Sequence, residues 1–112
     1  MNKTMDCQPV RRGELWWEAV EPTRMRPVVV SSSNWWNEAG PPVIAVVPIA
    51  SCDGASATNL EVPAGMGGLA NRGVLQPERL RYVDSRKLIA PIGGQLSYEI
   101  MSKLRDVLLR TL

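Results

Sequence analysis

The sequence predicts a mainly β domain: a small, strongly bent antiparallel barrel with one α-helix at its C-terminal end. Two apolar segments, Val28–Val30 and Val43–Ile49, are typical of strands that are buried on both faces. Nine glycines and nine prolines punctuate six or seven short segments of strand character. Only residues 97–108 place apolar side chains at helical spacing.

The first predicted strand is Glu14–Val20, and a tight hairpin at residues 21–25 joins it to the second strand. Trp16 and Trp17 are adjacent, so they face opposite sides of the strand, and at least one of them should enter the core. Pro27 cannot donate a backbone hydrogen bond, so we expect it at the first position of the second strand.

Two tryptophans, Trp35 and Trp36, stand in a polar segment at residues 33–42. We predict a loop or a short helical turn here, closed by a Gly-Pro pair. The tryptophans either fold back as a lid on the barrel or form a stacking platform for unpaired bases, where each stacked base contributes about 1–3 kcal/mol. The sequence leaves both interpretations open.

The second half of the chain is predicted to hold a short strand at residues 59–63 and a strand at residues 74–81 that Pro77 interrupts. Asp84 is predicted to cap a short helical turn. A last strand at residues 89–96 is broken by a proline and a pair of glycines.

The predicted C-terminal helix follows Ser97, whose hydroxyl is a preferred N-cap, and carries Glu99 in its first turn. Its apolar stripe consists of Ile100, Met101, Leu104, Val107 and Leu108. We expect this stripe to pack on the core of the domain.

Composition excludes several kinds of site. The net charge of +2 is too small for a general attraction to nucleic acid, although ten of the thirteen basic residues are arginines, which suit phosphate contact and base stacking. The chain contains no histidine, which excludes a paired-histidine ribonuclease mechanism and removes the usual zinc ligand. We expect neither a metal nor another cofactor.

Residues 1–10 show no periodicity and are predicted to be a disordered tail, followed by a single domain at residues 11–112. The two cysteines, Cys7 and Cys52, suggest no disulfide, because Cys7 lies in that tail. No apolar run approaches the length of a membrane span, and the tail lacks the apolar core of a signal peptide. We therefore expect no membrane association and a cytoplasmic location.

Arg26 lies immediately before Pro27, at the rim of the predicted sheet. A guanidinium held there can present its planar fork to a phosphate group. The commoner role of such a residue is a solvated surface charge. The neighbouring sequence bears on this choice.

Four blocks of sequence surround this arginine. They are Arg12-Gly13-Glu14-Leu15-Trp16, then Glu21-Pro22-Thr23 with Arg26-Pro27-Val28-Val29-Val30, then Val46-Val47-Pro48-Ile49, and Arg81-Tyr82-Val83-Asp84-Ser85-Arg86-Lys87-Leu88. In order and spacing they resemble the MazF/PemK family of toxin endoribonucleases, over nearly the whole chain. Each block alone is weak, but four in order are fairly specific.

The resemblance implies an SH3-like antiparallel β-barrel of the MazF, Kid and CcdB type, acting as the toxin of a type II toxin–antitoxin system. It implies a metal-independent, sequence-specific endoribonuclease that cleaves single-stranded mRNA, leaves 2′,3′-cyclic phosphate and 5′-hydroxyl ends, and inhibits translation and growth. The implied catalytic residues are Arg26 and Ser51. The implied RNA contacts are Thr23, Arg24, Asn34, Trp35, Trp36, Glu78 and Arg81.

The same resemblance implies three partners. These are the single-stranded RNA substrate, a second copy of the chain in a homodimer, and a MazE-like antitoxin. The antitoxin is expected to carry an acidic, disordered tail that folds across the RNA grooves when it binds.

The sequence departs from the family pattern in two places. The catalytic threonine of the family falls on Ala50, and a hydroxyl occurs one residue later at Ser51. A shift of one residue turns a strand side chain to the other face, unless the strand ends at Ala50 and frees Ser51. The linker at residues 21–25 is also shorter than in most relatives, which puts substrate choice in question.

Two alternatives stay open. A gyrase poison of the CcdB type shares the implied fold, but such proteins end in a tryptophan-containing tail, and this chain has no tryptophan after Trp36. A non-catalytic interaction module would keep the barrel and lack the hydroxyl, as Ala50 suggests.

Overall fold

The computed structural model describes residues 9–51 and 60–111, which form a curled antiparallel sheet with a helix at its C-terminal end. The strands are β1 (Glu14–Glu21), β2 (Arg24–Val30), β3 (Val43–Ser51), β4 (Leu60–Val62), β5 (Gly73–Leu75), β6 (Arg81–Asp84) and β7 (Leu88–Gln95). The helices are α1 (Asn34–Glu38) and α2 (Tyr98–Thr111), and 3₁₀ turns cover Met66–Gly68, Pro77–Arg79 and Ser85–Lys87. Most of the predicted tail and both cysteines lie outside the described residues.

β1 and β2 form the predicted tight hairpin, and Pro22 and Thr23 are its two turn residues. The register of this hairpin sets Glu18 directly opposite Arg26. Directly opposed residues share one face of an antiparallel sheet, so these two side chains are neighbours.

The position of Pro27 differs from the prediction, because β2 begins three residues earlier, at Arg24. Pro27 still lies where a missing N–H is tolerated. The ladder between β2 and β3 begins only at Val28, so this edge of β2 is unpaired beside the proline.

β3 is the hub of the sheet, because it pairs with three other strands. Residues Val43–Val46 pair with β6, Val46–Pro48 with β2, and Ile49–Ser51 with β5. The strand order is β4-β5-β3-β2-β1-β7, with β6 also on β3. A long strand shared by several partners lets the sheet bend around it.

Two hydrophobic clusters lie on the two faces of the sheet. The first, called the barrel cluster here, contains Val28, Val30, Ile44, Val46, Val83 and Leu88. The second, the helix cluster, includes Leu15, Val29, Val47, Ile49, Leu75, Met101 and Leu104. Successive residues of β2 and β3 alternate between the two clusters, which explains why these strands read as unbroken apolar runs.

The sheet curls so that β6 approaches β1, although the two strands are not neighbours in the ladder. Val83 of β6 and Leu88 of β7 both contribute to the barrel cluster, and the 3₁₀ turn Ser85–Lys87 joins these strands. An ion pair between Glu18 of β1 and Arg81 of β6 spans the curl. The predicted mainly β fold with a C-terminal helix is thus confirmed, in the form of a curled half-barrel.

Glycine is required where the 3₁₀ turn Met66–Gly68 approaches β7. A Cβ atom on Gly68 would lie 2.8 Å from the carbonyl oxygen of Ile92, and the φ angle of Gly68 is +85°. Any larger residue here would push this turn away from β7.

α2 has the predicted cap and the predicted buried face. The hydroxyl of Ser97 accepts a hydrogen bond from the backbone N–H of Ile100 at 3.2 Å. Met101 and Leu104 are buried in the helix cluster, and Ile100 packs against it. The stripe therefore serves core packing, as expected.

Two predictions for the second half were wrong in detail. Residues 74–81 do not form one interrupted strand but parts of β5 and β6 separated by the 3₁₀ turn Pro77–Arg79, since proline fits the first position of a helical turn. β7 runs unbroken from Leu88 to Gln95, and its irregularity takes the form of register shifts against β1. The cap at Asp84 is confirmed, because its carboxylate accepts from the backbone N–H of Arg86 at 2.9 Å.

Candidate functional site

The hairpin holds Arg26 on the barrel face of the sheet, in line with Val28 and Val30. Arg26 is partly buried, and it forms no hydrogen bond or ion pair with any residue in the ranges 9–51 and 60–111. A guanidinium that has no acceptor in the protein gains free energy when an anion binds. Arg26 is therefore a candidate anion-binding group.

Glu18, the cross-strand neighbour of Arg26, is buried, with 4% of its surface exposed. Its Oε1 atom accepts a short hydrogen bond from Nη2 of Arg81. Carboxylates are rarely buried to this degree unless they are paired, so the pair with Arg81 accounts for the burial of Glu18.

Arg81 is the first residue of β6 and is only half-buried, with 34% of its side chain exposed. Its Nη1 atom is buried and has no hydrogen-bond partner within the described part of the chain. Arg81 thus binds the carboxylate of Glu18, and Arg26 is the cross-strand neighbour of the same residue without pairing with it. The local charge of the three groups is positive, which suits a phosphate ligand.

Ala50 faces the same side of the sheet as Arg26. The register pairs Val28 with Pro48. Arg26 lies two residues before Val28 and Ala50 two residues after Pro48, which is the same direction in two antiparallel strands. This is the position at which the resemblance implies a hydroxyl, and alanine supplies none.

Ser51 is the last residue of β3 and pairs with Gly73, so it remains within the strand. By alternation it faces the side of Ile49, which belongs to the helix cluster. The condition under which Ser51 would turn toward Arg26, a strand that ends at Ala50, is not met. This register speaks against Ser51 as the hydroxyl donor beside Arg26, and its catalytic role stays a prediction.

Ser51 lines a groove of about 410 Å³ on that other side of the sheet, and Ala50 also lines part of this groove. Trp17, Pro27 and Ile92 form part of its apolar wall, and Arg26 does not line it.

Trp16, which faces the opposite way, packs against the barrel cluster, so one tryptophan of this pair enters the core as predicted.

The predicted RNA contacts fall into separate regions. Thr23 and Arg24 are exposed at the hairpin turn, on the same hairpin as Arg26. Arg81 joins this region through Glu18. Glu78 is exposed in the 3₁₀ turn that precedes β6, and no contact links it to Arg26 within the described residues.

Asn34 and the two tryptophans lie beyond the other end of β2, in and beside α1. The side-chain oxygen of Asn34 accepts from the backbone N–H of Arg12 at 2.7 Å, which gives this residue a structural task. Trp36 donates to the carbonyl of Val43 at 3.0 Å and lines an apolar groove of about 630 Å³ with Tyr82. Trp35 is 80% exposed. Trp35 is therefore too exposed to form the predicted lid on the barrel, whereas Trp36 covers part of the sheet.

The residue beside Arg26 that the sequence did not reveal is Glu18. One feature of the sequence could have pointed to Glu18. It lies two residues after Trp16 on β1, so the two side chains share the face of the strand that packs toward a core. Its partner, Arg81, is 63 residues away in sequence, so pattern alone could not join them.

The model of PemK-like, MazF-like toxins of type II toxin-antitoxin systems matches residues 11–112 of the chain. The chain belongs to this family of toxins. No curated protein matches it at a significant level. None of the helices in the two described ranges has the length and apolar character needed to cross a membrane.

Solved structures of MazF toxins share this fold. A MazE-MazF structure (Form-II) from Deinococcus radiodurans has a TM-score of 0.77 at 20% identity, over 93% of this chain and 95% of that chain. The toxin MazF-mt6 from Mycobacterium tuberculosis has a TM-score of 0.72 at 18% identity, over 87% and 93%. A mycobacterial endoribonuclease in complex with its cognate antitoxin has a TM-score of 0.70 at 15% identity, over 90% and 92%.

Proposed function

We propose that this toxin is a metal-independent, sequence-specific endoribonuclease that cleaves single-stranded mRNA and so inhibits translation and growth. Its membership of the PemK-like, MazF-like family supports the proposal, as does an endoribonuclease among the structures that share its fold. The observation that carries it is Arg26, a partly buried guanidinium without an acceptor among the described residues. An RNA phosphate supplies that acceptor.

In the proposed reaction, the 2′-oxygen of a ribose attacks the adjacent phosphorus atom, and the bond from phosphorus to the 5′-oxygen breaks. The 2′-hydroxyl gives up its proton and the departing 5′-oxygen takes one, which leaves a 2′,3′-cyclic phosphate and a 5′-hydroxyl. Arg26 binds the non-bridging oxygens and stabilises the negative charge that grows on them. Because the chain has no histidine, rate enhancement relies on positioning and on this charge.

The RNA strand passes the hairpin in this proposal, where Thr23 and Arg24 contact it next to Arg26. Arg81 provides a second cation for the same phosphate or its neighbour. Trp35, the most exposed tryptophan, stacks on an unpaired base further along the strand. Asn34 and Trp36 support the α1 segment through their internal hydrogen bonds, and Glu78 contacts RNA outside the cleavage site.

The proposed partners are a second copy of the chain and an antitoxin. The MazE-MazF structure from Deinococcus radiodurans and the mycobacterial endoribonuclease with its cognate antitoxin support an antitoxin partner for this chain. We propose that this antitoxin carries an acidic, disordered tail, whose carboxylates occupy the cationic site of Arg26 and Arg81 in place of RNA phosphates.

The decisive experiment is a cleavage assay on a long unstructured RNA in the presence of EDTA. Wild-type protein is expected to produce cyclic-phosphate ends, and Arg26→Ala to abolish cleavage with an unchanged melting temperature. Arg26→Lys should recover little activity, because a point charge does not reproduce the bidentate fork.

Arg24→Ala is the matched control, since Arg24 is an exposed arginine two residues away on the same strand. It should weaken RNA binding and leave most of the cleavage rate. Cleavage that survives Arg26→Ala and disappears in Arg24→Ala would move the assignment to Arg24. Gyrase inhibition without RNA cleavage, or silence in both assays, would favour a gyrase poison or a non-catalytic module.

The hydroxyl is tested by two changes on β3. Because Ala50 and not Ser51 shares the face of Arg26, Ala50→Thr is expected to raise the cleavage rate, by up to about the hundredfold that one well-placed donor contributes. Ser51→Ala should have little effect. A loss of about a hundredfold or more in Ser51→Ala would instead make Ser51 the donor and contradict the strand alternation.

A further inference from the structure

We infer that Glu18 is a positioning residue: its buried carboxylate holds Arg81 in the orientation in which Arg81 binds the RNA phosphate beside Arg26. The inference rests on the proposed ribonuclease function and adds a residue that the family resemblance did not supply. It makes the site a pair of guanidinium groups, one free and one anchored, arranged around a single carboxylate.

The first step is the contact itself. Only 6% of the Glu18 side chain is exposed, and its Oε1 atom is bonded to Nη2 of Arg81. A carboxylate in this environment has few rotamers available, so it can fix the guanidinium that it binds. The Arg81 side chain keeps 34% of its surface exposed, but its Nη1 atom is buried, so a ligand reaches this side chain at its other atoms.

The second step is the relation of Glu18 to Arg26. The two residues are directly opposed across β1 and β2, and side chains in such pairs start about 4.5–5.5 Å apart at Cβ. Even so, Arg26 forms no ion pair within the described residues, whereas Arg81 reaches Glu18 from β6. Glu18 therefore engages the distant arginine and leaves the neighbouring one unpaired.

Glu18 affects both the electrostatic repulsion between the two arginines and the mobility of the Arg81 side chain. Two guanidinium groups on one face repel each other, and one carboxylate between them offsets this repulsion in the empty protein. Arg81 has a long, flexible side chain, and a bond to a rigid acceptor orders it before RNA arrives. A site ordered in advance loses less conformational freedom when the phosphate binds.

The first experiment measures binding of a 2′-O-methyl oligoribonucleotide, which is not cleaved because its attacking hydroxyl groups are blocked. If Glu18 positions Arg81, Glu18→Gln loses one phosphate contact, and the slope of log K against log salt becomes shallower by about 0.7. This is expected although the variant gains one positive charge. The matched control is Glu61→Gln, the same charge change at an exposed residue of β4, which should leave the slope unchanged or steeper.

The second experiment measures cleavage kinetics. Glu18→Gln is expected to lower kcat at least tenfold with little change in KM, because the lost phosphate contact and the added positive charge act on RNA binding in opposite directions. Arg81→Lys keeps the charge and loses the planar fork, and it should show a similar loss in kcat with Glu18 intact. This variant tests the inference even if Glu18→Gln folds poorly.

A double-mutant cycle separates positioning from direct participation. If Glu18 acts through Arg81, the double variant Glu18→Gln with Arg81→Gln cleaves no more slowly than Arg81→Gln alone. Losses that multiply would overturn the inference, because Glu18 would then act on RNA by itself, for example as a base. An unchanged kcat and an unchanged salt slope in Glu18→Gln would overturn it as well.

These outcomes are distinct from failure of the proposed function. If Arg26→Ala abolishes cleavage while Glu18→Gln behaves like wild type, only the role of Glu18 is wrong. If wild-type protein does not cleave RNA at all, the ribonuclease proposal fails, and the salt slope still decides whether Glu18 orders Arg81 for an anionic strand.

Discussion

Two arginine–carboxylate pairs lie at the two ends of β6 and differ in almost every physical respect. At its start, Arg81 reaches across the curl of the sheet to the buried Glu18. At its end, Asp84 pairs with Arg86, two residues further along, through bonds of 2.7 Å and 3.1 Å. The side chains of this second pair are 37% and 88% exposed.

An ion pair with good hydrogen-bond geometry does not necessarily contribute much to the stability of the fold. The Asp84–Arg86 pair has two side-chain hydrogen bonds, but water competes for both partners and screens them. The Glu18–Arg81 pair has a hydrogen bond and a buried carboxylate, so removal of the arginine leaves a charge without water or partner. Burial decides which pair the fold depends on.

The largest expected effect separates the two pairs directly. Arg81→Ala should destabilise the protein by about 3–5 kcal/mol, because Glu18 stays buried and unpaired. Arg86→Ala removes the exposed partner and should leave the free energy of unfolding nearly unchanged. Urea unfolding of both variants, at one protein concentration, measures the contrast. Equal losses in the two variants would mean that burial does not distinguish the pairs.

An intermediate effect is expected when both charges of the buried pair are removed. Glu18→Leu combined with Arg81→Met replaces the pair by apolar side chains of similar size, and it should be neutral or stabilising by about 1–4 kcal/mol relative to wild type. Cleavage should nevertheless fall to the level of an Arg81 variant. A double variant as unstable as Arg81→Ala would show that the pair itself, and not the orphaned charge, stabilises the fold.

The smallest effect concerns the exposed pair and pH. Hydrogen bonds from the Arg86 side chain and backbone N–H lower the pKa of Asp84 from 3.8 to about 2. The ionised form is therefore favoured in the folded state, and the contribution is fully present above the unfolded pKa and lost as pH falls from about 4 to 2. Asp84→Asn should be slightly less stable than wild type at pH 6, and this difference should shrink as the pH falls from about 4 to 2. A difference that does not shrink over this range would have another cause.

The two pairs also differ in whether the sequence could predict them, because one is local in sequence and the other is not. Asp84 was predicted as a cap because its partner group lies two residues away, and such local bonds depend on spacing alone. Ser97 was predicted for the same reason. The tight hairpin and the buried valine strands also followed from local chemistry, through turn residues and unbroken apolar runs.

The sequence was least informative where several elements compete for one segment. Pro77 was read as an interruption within a strand, whereas it opens a 3₁₀ turn between two strands that pair with different parts of β3. Ser51 was allowed to turn toward Arg26 if its strand ended early, and the pairing of Ser51 with Gly73 keeps it in the strand. Partner strands distant in sequence set both outcomes.

From the sequence alone one could predict the class of the fold, the caps, the hairpin and the family motif around Arg26, because each depends on residues within a few positions of one another. The shared face of Ala50 and Arg26 and the pair of Glu18 with Arg81 became apparent only in the folded chain. Both facts depend on the register of β3 and on the curl that brings β6 to β1. Register and curl come from packing two cores on opposite faces of one sheet, and no local pattern contains that information.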